Sequence, residues 1–355
     1  MAWSRGGGRP VQRFRPPARP GSRLFCNFFV DRGVIGAAPR KIMSQITRFT
    51  ASACILASVA ASASAKIERV VEKTFTVQPG VHLRVATSGG DIRVETSADP
   101  VVKVVAKEHI RAGSEAEADE VLKKLDLTIK QDGNDVIATA SYEDGMGFHF
   151  GSWPPVQVEF VVTVPSGASA ELKTSGGDVG VGDLAGDVRA RTSGGNIRLG
   201  SIGGDIDAST SGGNVVLAEG RGSVKLSTSG GNVAVERVLG PADLDTSGGD
   251  IRVDSVRSTL TARTSGGDVK ATFEGPLKGD CTLSTSGGEV KASVGKEAAF
   301  QLEASTSGGE VDAAGITITI DHGGIGRSSL SGQVNGGGPV LKLHSSGGDI
   351  KVVTR

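Results

Sequence analysis

The sequence predicts an all-β protein whose body is a single-stranded β-solenoid (a β-helix) with coils of about 18 residues, preceded by a β-rich region with one short helix. Three observations carry this. Thr-Ser-Gly-Gly begins at Thr174, Thr192, Thr210, Thr228, Thr246 and Thr264, every 18 residues, and a fixed period of that length marks a stacked repeat. Each unit divides in half, because Gly177-Asp178-Val179 is echoed nine residues later by Gly186-Asp187-Val188. Within each half apolar and polar residues alternate, as in Val188-Arg189-Ala190-Arg191-Thr192 and Val224-Lys225-Leu226-Ser227-Thr228, the period of a strand with one buried face.

One unit therefore reads as one coil with two strand-and-turn halves. Val, Ile, Leu, Ala and Thr point inward, and Arg, Lys, Asp and Ser point outward. The glycine pairs Gly176 and Gly177, Gly194 and Gly195, Gly212 and Gly213, Gly230 and Gly231, Gly248 and Gly249, and Gly266 and Gly267 are expected to turn the chain through positive φ at a sharp corner. A side chain there would clash with the neighbouring coil. No nine-residue half can bury its apolar face alone, so equivalent strands must stack at about 4.8 Å. The six threonines then form one column, and Val179, Ile197, Val215, Val233, Ile251 and Val269 another. Outward threonine columns would make a flat ice- or crystal-binding array, but each threonine runs straight into a corner, which argues for burial.

The motif recurs at Thr285 and Thr306 after two steps of 21 residues, with an early copy at Thr87 and a variant at Ser345 that closes the series. The three added residues are expected to be extruded as bulges or loops, the first at Gly275-Pro276-Leu277-Lys278-Gly279. Residues 313–339 depart from the pattern and are expected to form irregular coils or a cap, because an open strand end invites aggregation. The regular solenoid thus spans 173–355.

Ahead of it, residues 66–172 contain strand-like runs at Val81–Val85, Val101–Val105, Leu127–Lys130, Asp135–Ala140 and Val156–Val164. Ser114-Glu115-Ala116-Glu117 reads as a capping box opening a helix over about 114–125, whose apolar stripe Ala118, Val121, Leu122 and Leu125 suits it to cover the end of the stack. Residues 145–155 gather Met146, Phe148, His149, Phe150 and Trp153 into one loop. That loop is either a plug for one end or an exposed patch for a partner.

Residues 43–65 have a basic residue, an apolar stretch and Ala63-Ser64-Ala65 at the end, the layout of a signal peptide cleaved before Lys66. The apolar stretch is too short for a stable span, so the mature chain is expected to be exported and released without a transmembrane segment. Residues 1–42 form a basic, low-complexity leader, either untranslated, with Met43 as the start, or a disordered extension. Residues 1–65 hold ten Lys/Arg and one acid, which leaves 29 basic against 38 acidic residues in 66–355. An acidic body argues against nucleic-acid binding. Cys281 alone remains beyond the leader and takes the place of an inward valine, so it reads as a buried structural thiol.

Catalytic chemistry is sparse. The five histidines, His82, His109, His149, His322 and His344, lack metal-ligand spacing, and no nucleophile elbow, phosphate loop or dinucleotide fingerprint occurs. No catalytic residue and no cofactor is expected. The most distinctive polar feature is the column after Gly-Gly: Asp178, Asn196, Asn214, Asn232, Asp250, Asp268, Glu289 and Glu310. Its asparagines are expected to share amide hydrogen bonds along the stack. Its acidic end, Asp250, Asp268, Glu289 and Glu310, offers weak candidates for calcium, although the calcium nonapeptide Gly-Gly-x-Gly-x-Asp presents its acid differently.

Phe75-Thr76-Val77-Gln78-Pro79-Gly80, the Val-Pro-Ser-Gly run at 164–167, the Thr-Ser-Gly-Gly-Asp-Val coils and the terminal Ser346-Gly347-Gly348-Asp349-Ile350 resemble the bacterial putative-adhesin β-helix family of unknown function, over roughly residues 70–355. The resemblance implies a right-handed β-helix at the envelope or outside the cell, with no catalytic residues to carry over. Sequence and resemblance together lead to a non-catalytic, adhesin-like or scaffold module, periplasmic, cell-surface or secreted, whose partner is an unidentified envelope protein or glycan. The alternatives are a carbohydrate-active β-helix enzyme, which needs non-repeating acids beside Lys/Arg in longer coil loops, and a calcium-stabilised repeat protein.

Overall fold

The structure, a computed structural model, describes residues 66–142, 155–320 and 326–355. Its body is a flattened β-solenoid made of a 14-stranded and a 13-stranded sheet. Each coil, named here by its corner threonine or serine, gives the first sheet the strand before the corner and the second sheet the strand after it. Coil 228, for example, contributes Val224–Thr228 and Val233–Val238. Equivalent strands pair in parallel at a constant offset: Val188 meets Ile206 and Ile206 meets Val224 in one sheet, and Ile197 meets Val215 and Val215 meets Val233 in the other. Every inward residue therefore rests on its own counterpart, as the period requires. Val179, Ile197, Val215, Val233, Ile251 and Val269 are all buried, and so is Cys281. Burial pushes the Cys281 thiol up from its ordinary range, as befits an inert core sulfur.

The corner owes its sequence to hydrogen bonding and close approach. Thr228 is buried; its hydroxyl donates to the carbonyl of Gly213 one coil away at 2.8 Å and accepts from the N–H of Gly231 at 3.3 Å. The same pair of bonds recurs at Thr192, Thr210, Thr246 and Thr264. A hydroxyl is one of the few side-chain groups able to donate and accept at once, which explains Thr here and Ser345 in the variant coil.

Of the two expectations for the glycine pairs, the clash with the neighbouring coil holds at the second glycine and the positive φ does not hold at all. None of the twelve glycines in the six regular corners has φ in the left-handed region. The second glycine is needed because its backbone lies against the coil beside it. A Cβ on Gly195, Gly213, Gly231, Gly249 or Gly267 would run into the carbonyl of the glycine one layer away. The first glycine has room in five of the six corners, where a Cβ on Gly230, for example, would meet nothing nearer than 3.6 Å, while one on Gly266 would come to 3.1 Å from the Gly248 carbonyl. A second column of close approach, Gly186, Gly204, Gly222 and Gly240, lines the opposite edge and matches the half-unit echo.

Chain order and spatial order part company at the C-terminal end. Coil 345, formed by Val340–Ser345 and Ile350–Thr354, does not close the stack but lies between coil 285 and coil 306. The second step of 21 residues is accordingly no extruded bulge, since residues 295–299 carry the chain past a layer that is filled later. The first such step does form the expected loop, with Gly275 at φ 83°. Beyond coil 306, residues 313–339 make the short strands Ile318–Thr319 and Ser329–Val334, the latter antiparallel to Phe300–Thr306.

At the other end coil 87 sits directly beside coil 174, and strands Asp135–Tyr142 and Val156–Pro165 add outside it. The outermost layer is antiparallel: Lys66–Thr76 on Val101–Arg111 in one sheet, and Leu125–Asp132 on Asp135–Tyr142 in the other. The helix spans Glu115–Leu122, so Leu125 begins a strand instead of ending the helical stripe. Ser114 caps it by accepting from the Glu117 N–H at 3.2 Å, while Glu117 reaches back to the N–H of Gly113, one residue before the box pattern places it. Ala118 is buried, and Glu115 and Asp119 both hold Arg69 of the outermost strand.

Candidate binding surface

The outward side chains of the two sheets follow from the same translation that stacks the core, so each surface position becomes a column. On the 14-stranded sheet one column reads Arg84, Glu171, Arg189, Asp207, Lys225, Asp243, with charge alternating at every layer. Arg84 lies 3.6 Å from Glu171, Arg191 binds Asp207 at 3.1 Å, and Arg263 binds Asp243 at 3.3 Å. Exposed pairs of this kind are individually worth about 0–1 kcal/mol, and an alternating column mainly avoids the cost of like charges set face to face.

On the 13-stranded sheet the column after Gly-Gly is a ladder, though not the amide-to-amide one expected. The side-chain oxygen of each Asp or Asn accepts from the backbone N–H of the equivalent residue in the next coil: Asp178 from Asn196 at 2.8 Å, Asn214 from Asn232 at 2.7 Å, Asp250 from Asp268 at 2.8 Å. A direct side-chain bond accompanies this only between Asn196 and Asp178. The order at the acidic end also differs, because Asp349 stands between Glu289 and Glu310 and is the residue whose carboxylate accepts from the Glu310 N–H.

Beside that acidic end runs a basic column, Arg252, Lys270, Lys291 and Lys351. Lys270 binds Asp268 at 2.9 Å and Lys351 binds Glu289 at 3.1 Å, while Arg327 binds Glu310 at 2.9 Å. The Lys270 ammonium and then the Glu289 N–H hold the Asp268 carboxyl below its usual range, and Asp268 in turn raises Lys270. The four acids proposed for calcium therefore face ammonium, guanidinium and amide groups, and no cluster of three or more ligating side chains suited to a metal occurs among the described residues. Near the opposite edge Glu219 is clamped by Arg221 at 2.8 Å and Arg237 at 2.7 Å, and these two hydrogen bonds lower its pKa.

The repeat threonines and second glycines named from the sequence thus line the inner corner, where they hold the fold, while most of the first glycines face outward. The loop carrying Met146, Phe148, His149, Phe150 and Trp153 lies outside the described residues. The alternating column escaped the sequence reading, since Arg84 and Glu171 become neighbours only once coil 87 is known to abut coil 174. Its regular part, Arg189, Asp207, Lys225 and Asp243, follows from the 18-residue period alone.

A two-sheet β-solenoid with translationally repeated surface columns is the class of protein this fold defines. Residues 81–353 match the model of the Toastrack DUF4097 family, and the chain belongs to that family. Among solved structures it is similar to a putative adhesin from Parabacteroides merdae ATCC 43184, with 11% identity over 80% of this chain and 96% of that one and a TM-score of 0.41. It is also similar to a putative adhesin from Bacteroides fragilis NCTC 9343, with 14% identity over 80% and 97% and a TM-score of 0.39. A putative lipid binding protein from Parabacteroides distasonis ATCC 8503 shows 10% identity over 80% and 96%, with a TM-score of 0.34. No match was found among curated proteins.

Proposed function

We propose that the mature chain is an exported, non-catalytic module that binds an envelope protein or a glycan through its long flat faces. The observation that carries this is the use to which the described surface charges are put. In both sheets acids and bases lie within reach and neutralise one another, across strands as in Arg84 with Glu171 or along the chain as in Lys270 with Asp268. Such groups are committed to holding a regular surface and do not converge on one reacting atom. The longer loop at 274–280 follows the same rule, its Glu274 held by Arg257 at 2.8 Å. Export rests on the signal-peptide pattern of residues 43–65, and no helix among the described residues is long and apolar enough to cross a membrane.

The deciding experiment is a glycan array probed with the mature chain, followed by incubation of any captured polysaccharide and sizing of the product. Capture with unchanged polymer length supports a binding module. Shortened polymer makes the chain a carbohydrate-active enzyme and overturns the proposal.

A further inference from the structure

We propose that coil 345 is an exchangeable element, so that two copies of this chain can each insert their C-terminal coil into the other. The slot it fills is bounded by coil 285 on one side and coil 306 on the other, both of which precede it in sequence. Both walls are therefore made by residues already synthesised when the coil arrives, and each offers parallel strand edges in both sheets.

The contacts that seat the coil are those of the repeat itself. The Ser345 hydroxyl donates to the Gly288 carbonyl at 2.9 Å, and the Thr306 hydroxyl donates to the Gly348 carbonyl at 2.8 Å. The Val290 N–H donates to the Asp349 carbonyl at 2.9 Å, the Ile350 N–H to the Glu310 carbonyl at 2.9 Å, and Lys351 pairs with Glu289. A coil from a second copy supplies every one of these groups unchanged, so exchange costs no contact within the slot.

What differs between the closed and exchanged forms is the connection. Asn335, Gly336, Gly337 and Gly338 have φ of 47°, 89°, 81° and 158°, four consecutive residues in the left-handed region. Asn335 is the single non-glycine residue with positive φ among the described residues, and its amide is tied to the carbonyls of Lys296 and Ala298. This bend folds the strand Ser329–Val334 back over coil 306 to reach the slot. In an exchanged pair the bend opens into an extended link, as short tight hinges do in swapping, and Asn335 is relieved of its left-handed φ while the three glycines adopt either conformation freely. Exchange then grows with protein concentration.

The test uses the full mature chain carrying Ser293→Cys and Val353→Cys. These outward positions are register partners on adjacent strands, and strands about 4.8 Å apart fall within disulfide range. The chain is refolded at about 1 µM and at about 500 µM, oxidised, and separated without reductant. The expected result is a disulfide closed within one chain at the low concentration and a covalent dimer that becomes a major species at the high one. A Gly-Ser-Gly-Ser insertion after Gly337, which relaxes the bend, lowers the dimer fraction several-fold. If the disulfide closes within single chains at both concentrations, or if dimers form whose disulfides are all intramolecular, the exchange is refuted. Circular dichroism and light scattering of the unsubstituted chain at the same two concentrations keep a folding failure of the cysteine pair from deciding the matter: a folded monomer at both also refutes the exchange.

Discussion

In coils 192 to 264 each corner hydroxyl donates to a glycine carbonyl one layer away, each second glycine lets two backbones touch, and the core is filled by Val, Ile, Leu and Ala until Phe273 enters in coil 264. The two ends differ in core and pairing, although coil 306 keeps the corner bonds, its Thr306 hydroxyl donating to the Gly348 carbonyl and accepting from the Gly309 N–H. They hold the largest fully buried side chains, Phe160 and Phe300, and switch to antiparallel pairing. The N-terminal end stops at an 11-residue strand whose inward row includes Arg69 and Lys73, with Glu108 buried on the strand beside it. The C-terminal end stops at two-residue strands, Val311–Asp312 and Ile318–Thr319. Inward charges and very short edges are two known ways to keep a sheet from adding further strands. Repetition satisfies the backbone only where a neighbouring layer exists, and each end needs its own solution.

The comparison can be broken hardest by deleting residues 340–355. In a stack that simply ended there the cut would trim one layer. Here it empties an internal one, so limited proteolysis is expected to open residues 295–339 as well, with a large fall in Tm; protection of that segment in the truncated chain would contradict the layer order. In the middle, Gly231→Ala is expected to cost about 3 kcal/mol or more, because its Cβ meets the Gly213 carbonyl, whereas Gly230→Ala stays within about 1 kcal/mol. Denaturant unfolding of the two variants side by side distinguishes close approach from a shared need for glycine. Thr228→Val strands a buried carbonyl and a buried N–H and is expected to cost about 1–3 kcal/mol, with Thr228→Ser much milder.

Smaller effects separate middle from end by the sign of their pH dependence. Hydrogen bonds from Arg221 and Arg237 lower the Glu219 pKa, so its stabilisation is present above the ordinary carboxylate range and lost as pH falls through the depressed folded value. Glu108 behaves oppositely. Burial raises its pKa against the opposing pull of Arg69, so the folded state prefers the protonated acid, and a penalty sets in as pH rises past the ordinary range. Thermal melts at about pH 4 and about pH 7 are expected to show Glu219→Gln losing more Tm at the higher pH, and Glu108→Gln gaining Tm there. The smallest effect is none: because Lys270, Lys351 and Arg327 already engage Asp268, Glu289 and Glu310, EDTA or added calcium is expected to leave Tm unchanged.

Much of the middle was readable from the residues. Period, half-unit and inward columns all follow from translation by 18 residues, which makes position in sequence equal to position in space, and Cys281 is placed inward by its offset from the next corner, Thr285. The ends resisted because that equality fails there. Strand Lys66–Thr76 was missed because Arg69 and Lys73 interrupt its apolar alternation, and nothing local in Ser345-Ser346-Gly347-Gly348 says that the coil is internal. The same holds for the surface: Arg189 to Asp243 follow from the period, whereas Arg84 and Glu171 are 87 residues apart in the chain and adjacent in the sheet.

By itself the sequence determined that this chain stacks, which side chains face inward, and where each corner falls, because a short-range alternation repeated at constant spacing leaves one arrangement that buries every apolar face. Only the tertiary structure decided the order of the last layers, which glycine of each pair is the indispensable one and the partners of the acidic column. Those depend on which backbones lie against one another across the stack, and contact between layers is a property of the assembled rod that no single repeat contains.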